Sequence, residues 1–255
     1  MKIISLNTWG GKLFVPLINF IKDYSKEVDL FCFQEIYHAA SNKKLSHGMR
    51  SNLFRKITQV LPDFNGFFVT TLKQHDLEEG VDFDLDTGLA LFVKKAIQVK
   101  THGDIFVYRN RGDELIADDY RTIPRNLQFI TFDKDNEEYL LCHFHGIWYP
   151  KTKLDTKERL EQSRKIKQFL SNNTGKKILC GDFNILPSTK SLEILDKDME
   201  NLIKNYNIST TRNKFYEREE KHADYILVSQ NVKVIDFKTI NITISDHLPL
   251  LLEFA

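Results

Sequence analysis

The residues able to do chemistry in this sequence gather where apolar runs stop. "ISLN" ends at Asn7, "FCFQE" at Glu35, "LCHFH" at His145, "ILCGDFN" at Asp182 and Asn184, and "ITISDH" at Asp246 and His247, while "HADYILVS" begins near Asp224. Each of these groups is costly to bury unpaired. Taken singly, each reads equally well as a strand end dressed for a turn or a cap. Gathered into one site, they supply carboxylates, two histidines and two amides, an inventory that suits a hard divalent cation together with an acid–base pair. In "CHFHG", residues 142–146, spacing alone leaves open a metal site, a proton-transfer group or an ordinary strand end. On an extended strand His143 and His145 share one face and Cys142 takes the other.

Bringing these groups together requires strands that finish at a common edge. "KIISLN", "VDLFCFQE", "GFFVTTL", "GLALFVKK", "NLQFITF", "YLLCHFH", "KKILCGDFN", "ADYILVS", "VKVIDF" and "LPLLLEF" read as strands. "LFVPLINFIKDY" and "MRSNLFRKITQVL" have helical spacing, with Pro16 close enough to the start of the first to be tolerated and Pro62 ending the second. "DTKERLEQSRKIKQFLSNNTG" is the clearest helix, with Asp155 as N-cap, Glu158 in capping-box position and Gly175 past the end. Its core stripe runs through Arg159, Gln162, Ile166 and Phe169, so two polar residues share the buried side. A further short helix lies near "TKSLEILDK". With no repeat or linker to divide the chain, residues 1–255 are expected to form one domain, an α/β (α+β) arrangement of two sheet layers with helices outside.

Composition narrows the partners little. Thirty-six Lys and Arg against 35 Asp and Glu leave a net charge of +1, so electrostatic recognition of a polyanion must be local. The apolar runs are of strand length, far short of a bilayer span, and the N-terminus lacks the apolar run of a signal peptide. The 3 cysteines lie inside buried-strand patterns and suit a reducing compartment. A cytoplasmic monomer without a transmembrane segment is expected.

The ordered set "LNTWG", "FCFQE", "GLALF", "HFHG", the Arg and Gln of the following helix, "GDFN", "DYIL" and "SDH" resembles the endonuclease/exonuclease/phosphatase family, metal-dependent phosphoesterases related to pancreatic deoxyribonuclease. The match runs in order from Asn7 to His247, and "GDFN" with a C-terminal "SDH" is its most specific part. The resemblance implies a four-layer α/β/β/α sandwich, two packed mixed β-sheets flanked by helices. It implies Mg²⁺, with Mn²⁺ able to substitute, held by Glu35 and Asp246 with help from Asn7. Asp182 would orient or deprotonate the attacking water and Asn184 position it. His247, oriented by Asp224, would contact the phosphate or serve as a base, and His145 would face the leaving group. Arg159 and Gln162 match a recurring pair behind the histidine motif and read as buried bracing.

Departures from the family pattern point away from abasic-site cleavage. Trp9 stands where AP endonucleases carry an aspartate, and "HFHG" where they carry a Tyr and Asn pattern. The sphingomyelinase-like or tyrosyl-phosphodiesterase-like side is favoured. His143 occupies a position more often asparagine, and reads either as support for the site or as a satisfied core histidine. Trp9 is expected chiefly in the core, whereas Trp148 and Tyr149 can line a cleft. Arg125 and Arg212 are candidates for phosphate contact, since a guanidinium fork suits such oxygens, with solvated loop positions the alternative; Lys221 is weaker. The run "HDLEEGVDFDLDTG" starts like a calcium loop, but Thr87 and Val93 stand where an EF-hand needs glycine and glutamate, so a solvated acidic loop is expected over residues 76–86. The function expected is hydrolysis of a phosphodiester, in nucleic acid, a tyrosyl-DNA adduct or a phospholipid. The alternatives are a phosphomonoesterase acting on an inositol or other small phosphate, a two-metal phosphoesterase of another fold, and a non-catalytic binding protein.

Overall fold

The computed structural model describes residues 1–116 and 119–255. Its strands are β1 (Lys2–Asn7), β2 (Leu30–His38), β3 (Phe64–Lys73), β4 (Asp86–Lys94), β5 (Val99–Tyr108), β6 (Arg125–Lys134), β7 (Glu137–His145), β8 (Lys176–Asp182), β9 (Met199–Asn201), β10 (Asp224–Ser229), β11 (Val234–Thr239) and β12 (Leu250–Phe254). The helices are α1 (Phe14–Tyr24), α2 (Leu53–Val60), α3 (Lys157–Asn172), α4 (Lys190–Asp196) and the single turn α5 (Leu202–Asn205). Two 6-stranded sheets result, ordered β11-β12-β1-β2-β4-β3 and β5-β6-β7-β8-β10-β9. Both are mixed, since β1–β2 and β7–β8 run parallel and the other pairs antiparallel.

The sheets pack face to face. Ile3, Leu30, Cys32 and Leu91 of the first meet Ile130, Leu141, Cys180 and Ile226 of the second in a shared core, which Ile166, Leu170, Leu192 and Leu195 of α3 and α4 join. On the far side of the first sheet Ile4, Leu6, Phe31, Phe33 and Phe92 take α1 and α2 through Leu17, Phe20, Ile21, Leu53 and Ile57. Central strands covered on both faces need apolar side chains at every position, which is why they read as continuous apolar runs. This is the four-layer α/β/β/α sandwich anticipated. Each fully buried Leu, Ile or Phe contributes about 1.5–3 kcal/mol of transfer free energy. Cys32, Cys142 and Cys180 are buried free thiols. Among the described residues no helix is long and apolar enough to cross a membrane.

Local details differ from the sequence reading. The N-cap of α3 is Thr156, whose hydroxyl accepts from the Arg159 amide, and not Asp155. The Asp155 carboxylate instead accepts from the Lys190 and Ser191 amides and the Ser191 hydroxyl at the start of α4. A tertiary neighbour thus outcompetes the local cap. Helix α2 begins at Leu53 rather than Met49, because Met49 turns into a small cluster with Tyr37, Leu45 and Leu85. Strands β5 and β9 and the turn α5 were not anticipated.

The strand ends are what matter for function. β1 and β2 run parallel and pair Asn7 with Gln34, next to Glu35. β7 and β8 run parallel and pair His145 with Asp182, and antiparallel β10 pairs Asp224 with the same Asp182. Residues in register across neighbouring strands point to one face, so His145, Asp182 and Asp224 stand side by side. The chain from Ser245 to His247 leads directly into β12 at the same edge, where the Ser245 hydroxyl donates to the Asn7 carbonyl at 2.7 Å.

Candidate active site

Backbone irregularities at the strand ends aim the polar groups. Glu35 adopts φ 56° within a register shift between Phe33 and Ile36, a bulge that turns its carboxylate out of the β2 ladder. Asn184 adopts φ 55°, and its amide donates to Asp182 Oδ1 at 3.0 Å. Gly146, which follows His145, donates its amide to the Asp182 carbonyl at 2.7 Å and comes so near Phe183 that a Cβ would lie 2.1 Å from the Phe183 oxygen. Only glycine lets β7 finish against β8 this tightly. Gly146→Ala is expected to cost about 3 kcal/mol and to lower the melting temperature by roughly 10 °C. A thermal melt within a degree or two of the parent would show that the approach relaxes freely.

Asp182 is the electrostatic centre. Its Oδ2 lies 3.5 Å from His247 Nε2, 3.7 Å from His145 Nε2, 3.1 Å from Asn7 Nδ2 and 4.0 Å from Arg212 Nη2. Burial opposes its charge, but His247, His145, Arg212 and Lys153 override it and hold its pKa well below the usual carboxylate range. His247 presents Nδ1 to both oxygens of Asp224, at 2.8 and 2.9 Å. Burial and Arg212 work against its charged form; Asp224, Asp246 and Asp182 together prevail, and its pKa is raised. His145 goes the other way. Burial first, then Arg125, push its imidazole down to about 3, so at neutral pH it is an uncharged ring.

Asp182, Asp224 and His247 offer ligand atoms within 4.8 Å of one another. Both Asp224 oxygens already face His247 Nδ1, however, and Asp224 Oδ2 also accepts from the Thr211 hydroxyl at 2.7 Å. That trio is better described as an oriented imidazole than as a chelate. A stronger donor set faces the cleft beside it. Glu35 Oε1 accepts from Asn7 Nδ2 at 3.0 Å, and its side chain is 19% exposed. Burial chiefly, with Asp246 and Asp182 adding to it against the Asn7 hydrogen bond, raises the Glu35 pKa. Asn184 Oδ1 is buried without a hydrogen-bond partner. A carboxylate whose pKa is raised by burial and by neighbouring carboxylates, beside an orphaned amide oxygen, fits a hard divalent cation bound through oxygen. Asn7 turns its amide nitrogen toward the carboxylates while its Oδ1 accepts from the Trp9 amide at 3.0 Å, so it orients Glu35 and Asp182 in this arrangement.

The two arginines differ. Arg212 is buried, donating from Nη1 to Asp246 Oδ2 at 2.8 Å, touching His247 Nε2 and lying 4.2 Å from the Tyr216 ring centroid. Neither a solvated loop position nor a free phosphate fork describes it. Arg125, at 4% exposure, lines the same cleft, and its guanidinium has no hydrogen bond or ion pair among the described residues. Burial lowers its pKa to about 10, still charged at neutral pH.

The remaining expectations sort by depth. His143 lies wholly inside the sandwich, with Nε2 2.6 Å from Gln128 Oε1 and Nδ1 3.3 Å from Gln34 Nε2, and burial lowers its pKa to about 3. It spans the two sheets one rung behind His145. Arg159 donates to the Ile147 and Leu154 carbonyls, and Gln162 Oε1 accepts from the Ile147 amide, so the pair braces the loop after β7. Trp9 is half-buried at the cleft, not in the core: Trp9 itself takes a left-handed φ of 52°, followed by left-handed Gly10 and Gly11, and a Cβ on Gly10 would meet Met49 and Tyr37. Trp148 lines the cleft edge-on to Tyr120 at 4.5 Å. Tyr149 lies beside Arg121 outside it, and Lys221 is exposed. Asp82 and Asp84 are exposed as expected, but Asp76 is buried, accepts from the Glu78 and Glu79 amides, and lines the cleft with Leu77 and Glu78. Two participants had no signal in the sequence. Lys153 is buried with Nζ 4.6 Å from the Tyr216 ring, and burial with Arg212 pushes its pKa down to about 8. Tyr216 lines the cleft between Lys153 and Arg212. The cleft has a volume of about 230 Å³.

Comparison with known proteins accords with this geometry. The family model described as the endonuclease/exonuclease/phosphatase family matches residues 4–247. No curated protein matches the sequence. Among solved structures the chain is similar to a mannosyl-6-phosphatase from Bacteroides thetaiotaomicron, at 19% identity and TM-score 0.66 over 100% of this chain and 99% of that one. It is similar to a functionally unknown conserved protein from Enterococcus faecalis, at 19% identity and TM-score 0.73 over 100% and 99%. It is also similar to the human Nocturnin catalytic domain with bound sulfate, at 16% identity and TM-score 0.71 over 100% and 94%. At these identities the likeness is one of fold.

Proposed function

This chain belongs to the endonuclease/exonuclease/phosphatase family, and on that premise we propose that residues 1–255 form one catalytic domain that hydrolyses a phosphate ester by in-line attack of water, using Mg²⁺ or, in its place, Mn²⁺. The observation that carries this reading is Asp182, an ionised buried carboxylate flanked by His247 and His145 at 3.5 and 3.7 Å. A carboxylate so placed can orient a water and take its proton, while Asn184 fixes the position of that water. His247, held toward its charged form by Asp224, faces the phosphate, and Arg125 offers an unspent guanidinium to its oxygens. Neutral His145 presents an N–H to the departing oxygen. Glu35 and Asp246 would hold the cation, with Asn7 orienting Glu35; when bound, the cation supplies Lewis-acid stabilisation of charge developing on phosphorus oxygens.

Two outcomes test the metal assignment. Chelation should lower hydrolysis of bis-p-nitrophenyl phosphate about 100-fold or more, and Mg²⁺ or Mn²⁺ should restore it. Glu35→Gln should remove activity yet raise the melting temperature of the metal-free protein, because it relieves repulsion among Glu35, Asp246 and Asp182; added Mg²⁺ should stabilise only the parent. Chelator-resistant activity, or equal Mg²⁺ stabilisation of both proteins, would exclude a cation at Glu35.

A phosphodiester in nucleic acid, a tyrosyl adduct or a phospholipid fits the site chemistry. A small phosphomonoester is the second reading, favoured by the 230 Å³ cleft. One protein of the same fold is described as a mannosyl-6-phosphatase. Parallel rates on p-nitrophenyl phosphate, bis-p-nitrophenyl phosphate and an oligonucleotide separate the readings.

A further inference from the structure

Three segments that follow one another around one lip of the cleft, two of them running into the first turns of α1 and α2, share an unusual composition. Residues 9–16 (WGGKLFVP), 47–56 (HGMRSNLFRK) and 210–216 (TTRNKFY) hold Lys12, Arg50, Arg55, Lys56, Arg212 and Lys214 but no Asp or Glu. They are contiguous in space. The Arg50 amide donates to the Gly10 carbonyl at 2.9 Å, Met49 packs at Gly10, and the Trp9 and Phe215 rings lie 6.0 Å apart. The lip displays apolar groups outward: Val15 is 64% and Phe215 40% exposed, with Trp9 and Phe14 half-buried beside them.

Cations sit among these rings. Lys12 Nζ lies 4.5 Å from the Trp9 centroid, the Arg50 guanidinium 4.9 Å from Phe14, and Lys214 Nζ 5.7 Å from Phe215. None of the three forms an ion pair among the described residues, so their charge is left for a partner. The neighbouring Glu78 carboxylate lies 2.6 Å from His47 Nε2, and the acids Glu217, Glu219 and Glu220 come after Tyr216, where the Arg218 side chain donates to the Pro150 carbonyl.

We infer that this lip docks the protein on an anionic phospholipid bilayer, with Phe215, Val15 and Trp9 entering the headgroup–acyl boundary and Lys12, Arg50 and Lys214 meeting anionic headgroups. Aromatic and aliphatic tips flanked by unpaired basic side chains are the composition that binds such an interface. A nucleic-acid strand would use the cations and could stack on Trp9, but it gives an exposed Val15 nothing to contact. Because Trp9 and Lys12 also line the cleft, docking would set the cleft mouth against the membrane surface. The surface is independent of which ester the cleft hydrolyses.

The test is sedimentation of the full chain with vesicles of phosphatidylcholine alone or mixed with phosphatidylserine, with a single-stranded oligonucleotide as the competing ligand. Binding is expected to the mixed vesicles and to weaken with added salt. Phe215→Ala should weaken it about tenfold and Lys214→Ala roughly fivefold. Both side chains are solvent-exposed and outside the cleft, so hydrolysis of soluble p-nitrophenyl esters should be unchanged. No binding to mixed vesicles, binding indifferent to both substitutions, or retention by the oligonucleotide alone would overturn the inference. Vesicle binding by a protein that hydrolyses nothing would count against the proposed function and leave the docking surface standing.

Discussion

Asp182→Asn is expected to lower kcat about 10³-fold while leaving the chain folded. The size follows from the position. This one carboxylate faces two imidazoles, the Asn7 amide and a guanidinium, so removing its charge takes away the base and the negative charge that both rings face. An amide of the same shape does not substitute. Asp182 Oδ1 accepts from the Asn184 amide at 3.0 Å and Oδ2 from Asn7 Nδ2 at 3.1 Å, and asparagine in either orientation sets a donor against one of them. That mismatch should cost about 1–3 kcal/mol.

The loss of stability should itself depend on pH. The fold lowers the Asp182 pKa, so its contribution is fully present above the unfolded carboxylate value near about 4 and fades as pH falls toward the folded value. Parent and variant melting temperatures should therefore converge in acid. Steady-state kinetics and thermal melts on the same preparations check both claims. A folded Asp182→Asn enzyme within tenfold of the parent would place the chemistry elsewhere and revive a non-catalytic role for this site.

How far such a site can be read before folding depends on whether position follows from periodicity. His145, Asp182 and Asp224 each end or begin a β-run, and strand alternation with register does the rest, so their meeting was legible in the sequence. Glu35 was legible as a residue and not as a geometry, because the left-handed bulge that aims it leaves no mark in "FCFQE". Trp9 was misplaced because an aromatic after an apolar strand looks like core, and the outcome turned on its own left-handed backbone and that of the two glycines after it. β5 escaped notice because Val107 alone among its residues is fully buried and Gly103 interrupts it, so neither alternation nor a continuous apolar run survives. Lys153 and Tyr216 lie on loops, where spacing carries no information about which side chain turns inward. Asp155 and Thr156 are adjacent and equally able to cap; only the arrival of α4 decides which one caps α3.

The protonation states of the two site histidines lead to the second large effect. His247 is held toward its charged form by Asp224, whereas His145 is neutral and faces Glu35 and Asp182 through Nε2 at 4.0 and 3.7 Å. A neutral ring donates a hydrogen bond to a departing oxygen without carrying a full charge, and that help matters in proportion to how basic the leaving group is. His145→Ala should therefore cost about 10²–10³-fold in kcat on an alkyl phosphate ester, whose alkoxide leaves reluctantly. On a p-nitrophenyl ester, whose phenolate is already stable, the loss should be about tenfold or less. The ratio between the two substrates is the informative quantity, because a merely structural collapse would lower both rates alike. His247→Ala provides the contrast: acting on the phosphate rather than on the leaving group, it should depress both substrates by similar factors. Equal losses for His145→Ala on the two esters would move this histidine from the leaving oxygen to the phosphate or the attacking water.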